Sequence, residues 1–130
     1  MSSDLVWQVI RNNSSFIRSS RGIQKKFSVE PFNLKAVNSR IYNGLVNKKS
    51  IDIQPSADKK TLVVSTKTTN RRRPAKSVQK VTLKRRGARA TIKAVKNIAS
   101  NQNPRFAMVA ARRASQLLRS LKRANAKKTA

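Results

Sequence analysis

Cysteine and histidine are both absent from this chain, and acids are scarce: Asp4, Glu30, Asp52 and Asp58 are the only carboxylate side chains among 130 residues. Without Cys there is no disulfide framework and no thiolate zinc site. Without His the usual general base is gone, and with it most metal centres and the Ser-His-Asp and Cys-His arrangements. Four scattered carboxylates do not readily form a two-metal cluster. Asp52 and Asp58 stand closest in sequence, with Pro55 between them in what reads as a turn. The expectation is a protein that is not an enzyme, with no catalytic residue, no metal, no cofactor and no small-molecule substrate.

Long apolar runs are missing too. No stretch approaches the ~18 residues that a membrane-spanning helix needs. The start, MSSDLVWQVIRNNSS, lacks the basic region and apolar run of a signal peptide, and its early acid and Trp fit a transit peptide poorly. No membrane is expected, and the expected compartment is the cytosol or nucleus. NRRRPAK matches a nuclear import signal, weak support in so basic a chain.

Positive charge is abundant. Lys plus Arg is 31 against four acids, a formal net charge of +27. The first 58 residues hold all four acids and nine bases; residues 59–130 hold 22 bases and no acid. Self-repulsion on that scale opposes compaction unless counter-charge is supplied, and a polyanion supplies it. Such a balance is the electrostatic footprint of a nucleic-acid binder. Arg and Lys are nearly equal, 15 against 16. Arg adds a planar fork for bidentate phosphate contact and a surface that stacks on unpaired bases, which favours structured RNA over chromatin-style packing.

Hydrophobic residues at 38% allow a modest core. SSDLVWQVIR reads as a short helix with a Ser cap and an acid in its first turn. SFIRS and KKFSVE flank Gly22 as a hairpin, SRIYNGLV combines strand character with an Asn43-Gly44 turn signal, and SIDI and TLVVST flank the Pro-containing loop QPSADKK. TTNRRRPAKS is a hinge, and VQKVTL returns as one more strand. Ala88, Ile92, Val95 and Ala99 then mark a helical stripe beside a basic one of Arg89, Lys93 and Lys96. NPRFAMVAARRASQLLRSLKRA starts with an Asn103 cap and Pro104, and shows an apolar face of Phe106, Ala110, Ala114, Leu117 and Leu121. The expected fold class is α+β: a small, mostly antiparallel sheet with a short N-terminal helix packed on it, followed by two basic C-terminal helices. The expected organisation is a small α+β domain at 1–69, a basic hinge with a strand at 70–86, a two-helix RNA-binding extension at 87–123 and a frayed tail at 124–130.

The candidate RNA-binding residues are Lys35, Arg40, Lys48 and Lys49 in the first part and Arg71, Arg72, Arg73, Lys76, Lys84, Arg85 and Arg86 in the hinge. Arg89, Lys93 and Lys96 follow on the first basic helix, and Arg105, Arg112, Arg113, Arg119 and Arg123 on the second. An ordinary charged helix face mixes Lys with Glu, because opposite charges one turn apart stabilise it. Here no acid is present to pair with. Each phosphate neutralised makes log K fall by about 0.7–0.9 per unit of log salt. Phe16, Phe27 and Phe106 are expected to pack in the core. Tyr42, beside Arg40 and Asn43, is the aromatic candidate for RNA contact. The strand signature of an RNA-recognition-motif domain is absent. The helix at 104–123 is too rich in Ala and too poor in large apolar anchors for a membrane-surface helix.

The strings DLVWQVIRNNSSF, EPFNLKAVNSRIYNGLVNKK, GARATIKAVKNI and RRASQLLRS, in this order, resemble the eukaryote-specific family of large-subunit ribosomal proteins conventionally numbered twenty-eight. The resemblance spans nearly the whole chain and is most specific in NLKAVNSRIYNGL. It implies a non-enzymatic structural component of the cytosolic large (60S) subunit that holds ribosomal RNA and touches neighbouring large-subunit proteins. Nuclear and nucleolar transit during assembly is implied as well. The chain departs from the family pattern at Phe32, where the family is more polar, in a longer SSRGIQ loop and in a short basic tail. A nuclear ribosome-biogenesis factor shares the N-terminal domain, but it carries cysteines there and a long acidic extension. A histone-like DNA-binding protein is the other alternative, and its tail should be richer in Lys and Ala than in Arg.

Overall fold

The computed structural model describes residues 2–69, 73–84 and 87–129, so Arg71, Arg72, Arg85 and Arg86 of the candidate set lie outside the described residues. The chain runs through α1 (Ser3–Ile10), β1 (Ile17–Ser20), β2 (Ile23–Ser28), β3 (Ile51–Pro55), β4 (Leu62–Lys67), β5 (Val78–Leu83), α2 (Ala88–Gln102) and α3 (Ala107–Thr129). Short 3-10 turns at Pro74–Lys76 and Pro104–Phe106 lead into β5 and α3. The α+β class is as the sequence predicts.

The strands are antiparallel, as expected, but they form two sheets rather than one: β1-β2, and β3-β4-β5 with β4 in the middle. The reason lies between β2 and β3. SRIYNGLV, which has strand character in sequence, forms turns, and among the described residues no strand carries pairing from one sheet to the other. The first sheet is a hairpin closed at Gly22, whose φ of 80° is left-handed and open to Gly at little cost. Only Ser28 of its strand residues is buried. Helix α1 is capped as expected, Ser2 Oγ accepting from the Asp4 N–H at 3.2 Å, yet it buries no residue at all. Its Val6, Trp7 and Ile10 are half-buried, so the helix lies against the molecule without entering the main core.

The core belongs to the second sheet and the last two helices. Along β4 the alternation is regular, with Leu62, Val64 and Thr66 buried and Val63, Ser65 and Lys67 half-buried. Ile53 pairs with Val64, and Ile51 with Thr66, on the same face. Against that face lie Val95 and Ala99 of α2, Phe106, and Ala110, Ala114 and Leu121 of α3. Ala99, Ala110 and Ala114 are fully enclosed, and side chains this small let backbones approach closely while apolar area leaves water. Val81, opposite Val64 on edge strand β5, is still 44% exposed, so the helices cover β3 and β4 more completely than β5.

One stripe differs from expectation. On α2 the buried residues are Thr91, Val95 and Ala99, with Ile92 and Ile98 half-buried and Ala88 exposed. Thr91 goes inward because its Oγ1 donates to the Gly87 carbonyl at 3.1 Å, which satisfies the hydroxyl locally. At the start of the last helical segment Asn103 acts as expected, its Oδ1 accepting from Arg105 N at 3.1 Å with Pro104 following. Helix α3 continues to Thr129, and Leu121 is its last buried residue among those described.

Candidate nucleic-acid interface

The loop between the two sheets is organised by a carboxylate. Glu30 is 6% exposed and accepts from Asn33 Nδ2 at 2.8 Å, Asn43 Nδ2 at 2.9 Å and the Gly44 N–H at 3.3 Å. Asn43 returns the chain on itself, its Oδ1 accepting from the N–H groups of Leu45 and Val46. Lys67 Nζ of β4 donates to the Gly44 carbonyl at 2.9 Å, tying this knot to the second sheet. Phe32 and Ala36 sit at φ 63° and 53°, left-handed conformations that cost a non-glycine residue energy and hold only where the surroundings impose them. Here the imposing contacts include Asn33 Nδ2 to the Val37 carbonyl and Ser28 N to the Ala36 carbonyl.

This scaffold places Lys35 beside α3. Lys35, Arg112 and Arg113 line one groove of about 310 Å³, together with Asn33, Val109 and Gln116. The structure thus joins candidates that lie far apart in sequence. Lys35 Nζ stands 4.8 Å from the centroid of the Tyr42 ring, and that ring packs 6.0 Å from Phe106. Tyr42 is therefore a bridge between Lys35 and the core, not a free base-stacking platform. Its sequence neighbours mislead, since Asn43 turns into the Glu30 knot and Arg40 turns toward α1. Phe106 is buried as expected, whereas Phe16 and Phe27 are half-buried and stand outside the main cluster.

Arg40 is the member of the set held by an acid. Its Nε and Nη2 donate to Asp4 Oδ1 at 3.0 and 2.7 Å, Nη2 also reaches Ser3 Oγ at 3.2 Å, and Nη1 reaches Asn47 Oδ1 at 3.2 Å. At the other end of α1, Asn38 Nδ2 donates to the Arg11 carbonyl at 2.8 Å. Helix α1 is thus pinned at both ends by polar bonds from the 38–40 loop. Arg40→Ala should leave global stability nearly unchanged, by ~1 kcal/mol or less for a partly exposed ion pair. It should strip hydrogen-exchange protection from the α1 amides, and unchanged protection there would mean that another contact holds the helix.

The other described candidates face outward without acid partners. Arg89, Lys93 and Lys96 are exposed on α2, and Arg105 precedes Arg112, Arg113, Arg119 and Arg123, all exposed on α3 or the turn leading into it. Lys48, Lys49, Arg73, Lys76 and Lys84 are exposed as well. A second basic groove, of about 480 Å³, was not legible in the sequence. It lies under α1 and is lined by Trp7, Arg11, Gln24, Lys26, Asn38 and Arg40, among others. Neither Arg11 nor Lys26 stands out in a chain with so many bases, and the one distinctive residue of the lining is Trp7, the sole tryptophan. Among the described residues no group of acids is close enough to hold a metal ion, and no helix is long and apolar enough to cross a membrane.

Comparison with known proteins adds the family. A model of the Ribosomal L28e protein family matches residues 5–120. The large ribosomal subunit protein eL28 of Caenorhabditis elegans is 49% identical over 130 residues, covering 99% of this chain and 98% of that protein. The protein of the same name from Dictyostelium discoideum is 36% identical over 132 residues, covering 98% and 97%. That from Schizosaccharomyces pombe is 33% identical over 99 residues, covering 73% and 72%.

Proposed function

The chain belongs to the ribosomal L28e protein family, and from that premise we propose that its exposed arginines and lysines hold ribosomal RNA within the large subunit. It is a structural constituent of the large subunit of the eukaryotic cytosolic ribosome, and no catalytic step is assigned to it. The observation that carries the RNA proposal is the outward, acid-free set on α2 and α3, part of a segment from 59 to 130 with 22 bases and no acid. Uncompensated like charges on adjacent helix faces repel, and closely spaced phosphates are the counter-charge that turns repulsion into attachment. Phosphate contacts fix position and orientation, while RNA shape supplies selectivity.

The proposal divides the chain by role. Residues 1–69 carry the polar ties and the groove under α1, β5 within the basic 70–86 segment completes the second sheet, and α2 and α3 present the phosphate-facing surface. Arg40 is set aside as an internal tie, and Arg71, Arg72, Arg85 and Arg86 enter on sequence alone. Neighbouring large-subunit proteins and nucleolar transit during assembly belong to the same proposal. Sucrose-gradient sedimentation of the tagged chain from cell extract tests it, before and after a high-salt wash and nuclease treatment. The expected result is salt-resistant co-migration with large subunits and whole ribosomes that nuclease abolishes. Migration with nuclear precursor particles alone would assign a biogenesis factor instead, and a nuclease-insensitive chromatin or membrane fraction would overturn the ribosomal role.

A further inference from the structure

Helix α1 and the β1-β2 hairpin contribute almost nothing to the core: the helix buries no residue and the hairpin strands bury only Ser28. Both nevertheless line the same groove. Gln24 and Lys26 reach it from alternate positions of β2, which places them on one face of the strand. Trp7 and Arg11 reach it from one stripe of α1, four residues apart. That stripe faces the 38–40 loop, because Ser3 and the Arg11 carbonyl on the same stripe are bonded by Arg40 and Asn38. Leu5 and Val9, the exposed apolar pair of α1, lie about 200° round the helix from Trp7 and play no part in the groove.

We infer that this groove takes one unpaired RNA nucleotide, its base stacked on the Trp7 indole and its phosphate held between Arg11 and Lys26. The lining argues for this ligand class. An indole provides a flat stacking surface that every base accepts. With Arg40 held by Asp4, Arg11 and Lys26 remain as the two cations of the lining for one phosphate, and the amides of Gln24 and Asn12 can both donate and accept toward a base edge. A space of about 480 Å³ admits a nucleotide, and the indole offers its face to one base, which a base kept stacked in a duplex cannot reach. Sequence-selective RNA contacts are made chiefly with splayed-out, single-stranded bases of this sort. The inference rests on the RNA-binding role proposed above.

Trp7 is the sole tryptophan of the chain, so the full-length protein reports on its own site. Short oligoadenylate and an RNA duplex of similar length are titrated against it. Intrinsic fluorescence and the anisotropy of labelled RNA are read together. The expected result is saturable quenching with the single strand and little with the duplex. Trp7→Leu, on a helix without buried residues, should weaken single-strand binding roughly 5- to 150-fold, the range of one lost base stack, and leave duplex binding unchanged. Arg11→Gln with Lys26→Gln should keep the quenching amplitude, raise the concentration at half-saturation and flatten the salt slope by about one unit if the two share one phosphate. RNA binding by anisotropy with unchanged fluorescence would overturn the stacking site and leave the RNA role standing. Absence of any RNA binding would overturn both. A fluorescence change caused by large-subunit proteins and not by RNA would make the indole a protein contact and sink the inference.

Discussion

Gly44→Ala is expected to lower the stability of the chain by ~3 kcal/mol or more, at the upper end of what overpacking costs. Gly44 is not among the residues at positive φ, so backbone freedom is not what requires glycine here. The requirement is one of space. A Cβ at this position would fall onto the Pro31 carbonyl oxygen and stand 2.8 Å from Phe32 Cβ and 2.9 Å from the Phe32 carbonyl carbon. Two of these neighbours are backbone atoms, and the backbone there is held by the Glu30 knot, so neither side can give way cheaply. Moving it would break the bond from the Gly44 N–H to Glu30 and the bond from Lys67 to the Gly44 carbonyl. The melting temperature should fall by roughly 10 °C for a chain of this size. Gly22→Ala is the control: nothing lies within 4 Å of its added Cβ, and its cost is the ~1 kcal/mol of a left-handed Ala. If Gly44→Ala melts with the wild type, the close approach of the two loop segments is wrong.

Changing Arg112, Arg113 and Arg119 together to Gln is expected to flatten the salt dependence of RNA binding by roughly two to three units of log K per log salt, at ~0.7–0.9 per phosphate released. Between 50 and 200 mM salt that amounts to a roughly 20- to 40-fold smaller loss of affinity, on top of weaker binding at the low-salt end. All three side chains are exposed and none is ion-paired, so the fold should survive the change. Glutamine keeps the helix and the hydrogen-bonding capacity while removing the charge, which isolates counterion release from packing. The measurement is a set of binding isotherms at several salt concentrations for wild type and variant. An unchanged slope would move these arginines away from phosphate, toward solvent or a protein neighbour.

The parts of this structure that follow from local periodicity were legible in advance. The caps at Ser2 and Asn103, the strands flanking QPSADKK and Gly22, and the apolar stripe of α3 all rest on interactions within a few residues, and the structure has each of them. What was not legible depends on contacts between distant segments. Asn43-Gly44 reads as a turn, but its purpose is set by Glu30, more than ten residues earlier. Arg40 looks like one basic residue among many until Asp4 is brought against it from 36 residues away. Tyr42 looks free until Phe106 arrives from the turn before α3. The groove under α1 needs a helix, a hairpin and a loop together, and charge counting distinguishes none of its bases from the rest. The candidate set read from charge is correspondingly uneven: the α2 and α3 members stand outward as a surface, Lys35 joins Arg112 and Arg113, and Arg40 is tied to Asp4.

The inward turn of Glu30 has a kinetic consequence. With Glu30 enclosed among amides, Asp4 clasped by Arg40, and Asp52 bonded to the Ile53 N–H and Gln54 Nε2, Asp58 is the one exposed carboxylate side chain without a partner among the described residues. A polyanion approaching from almost any direction therefore meets attraction and hardly any repulsion. Encounter is fast but indiscriminate, and wrong landings are corrected by letting go rather than by never touching. On the RNA-binding role proposed above, the protein would find its seat by many brief, salt-labile visits, and its residence would lengthen only where the shape of the RNA matches its own.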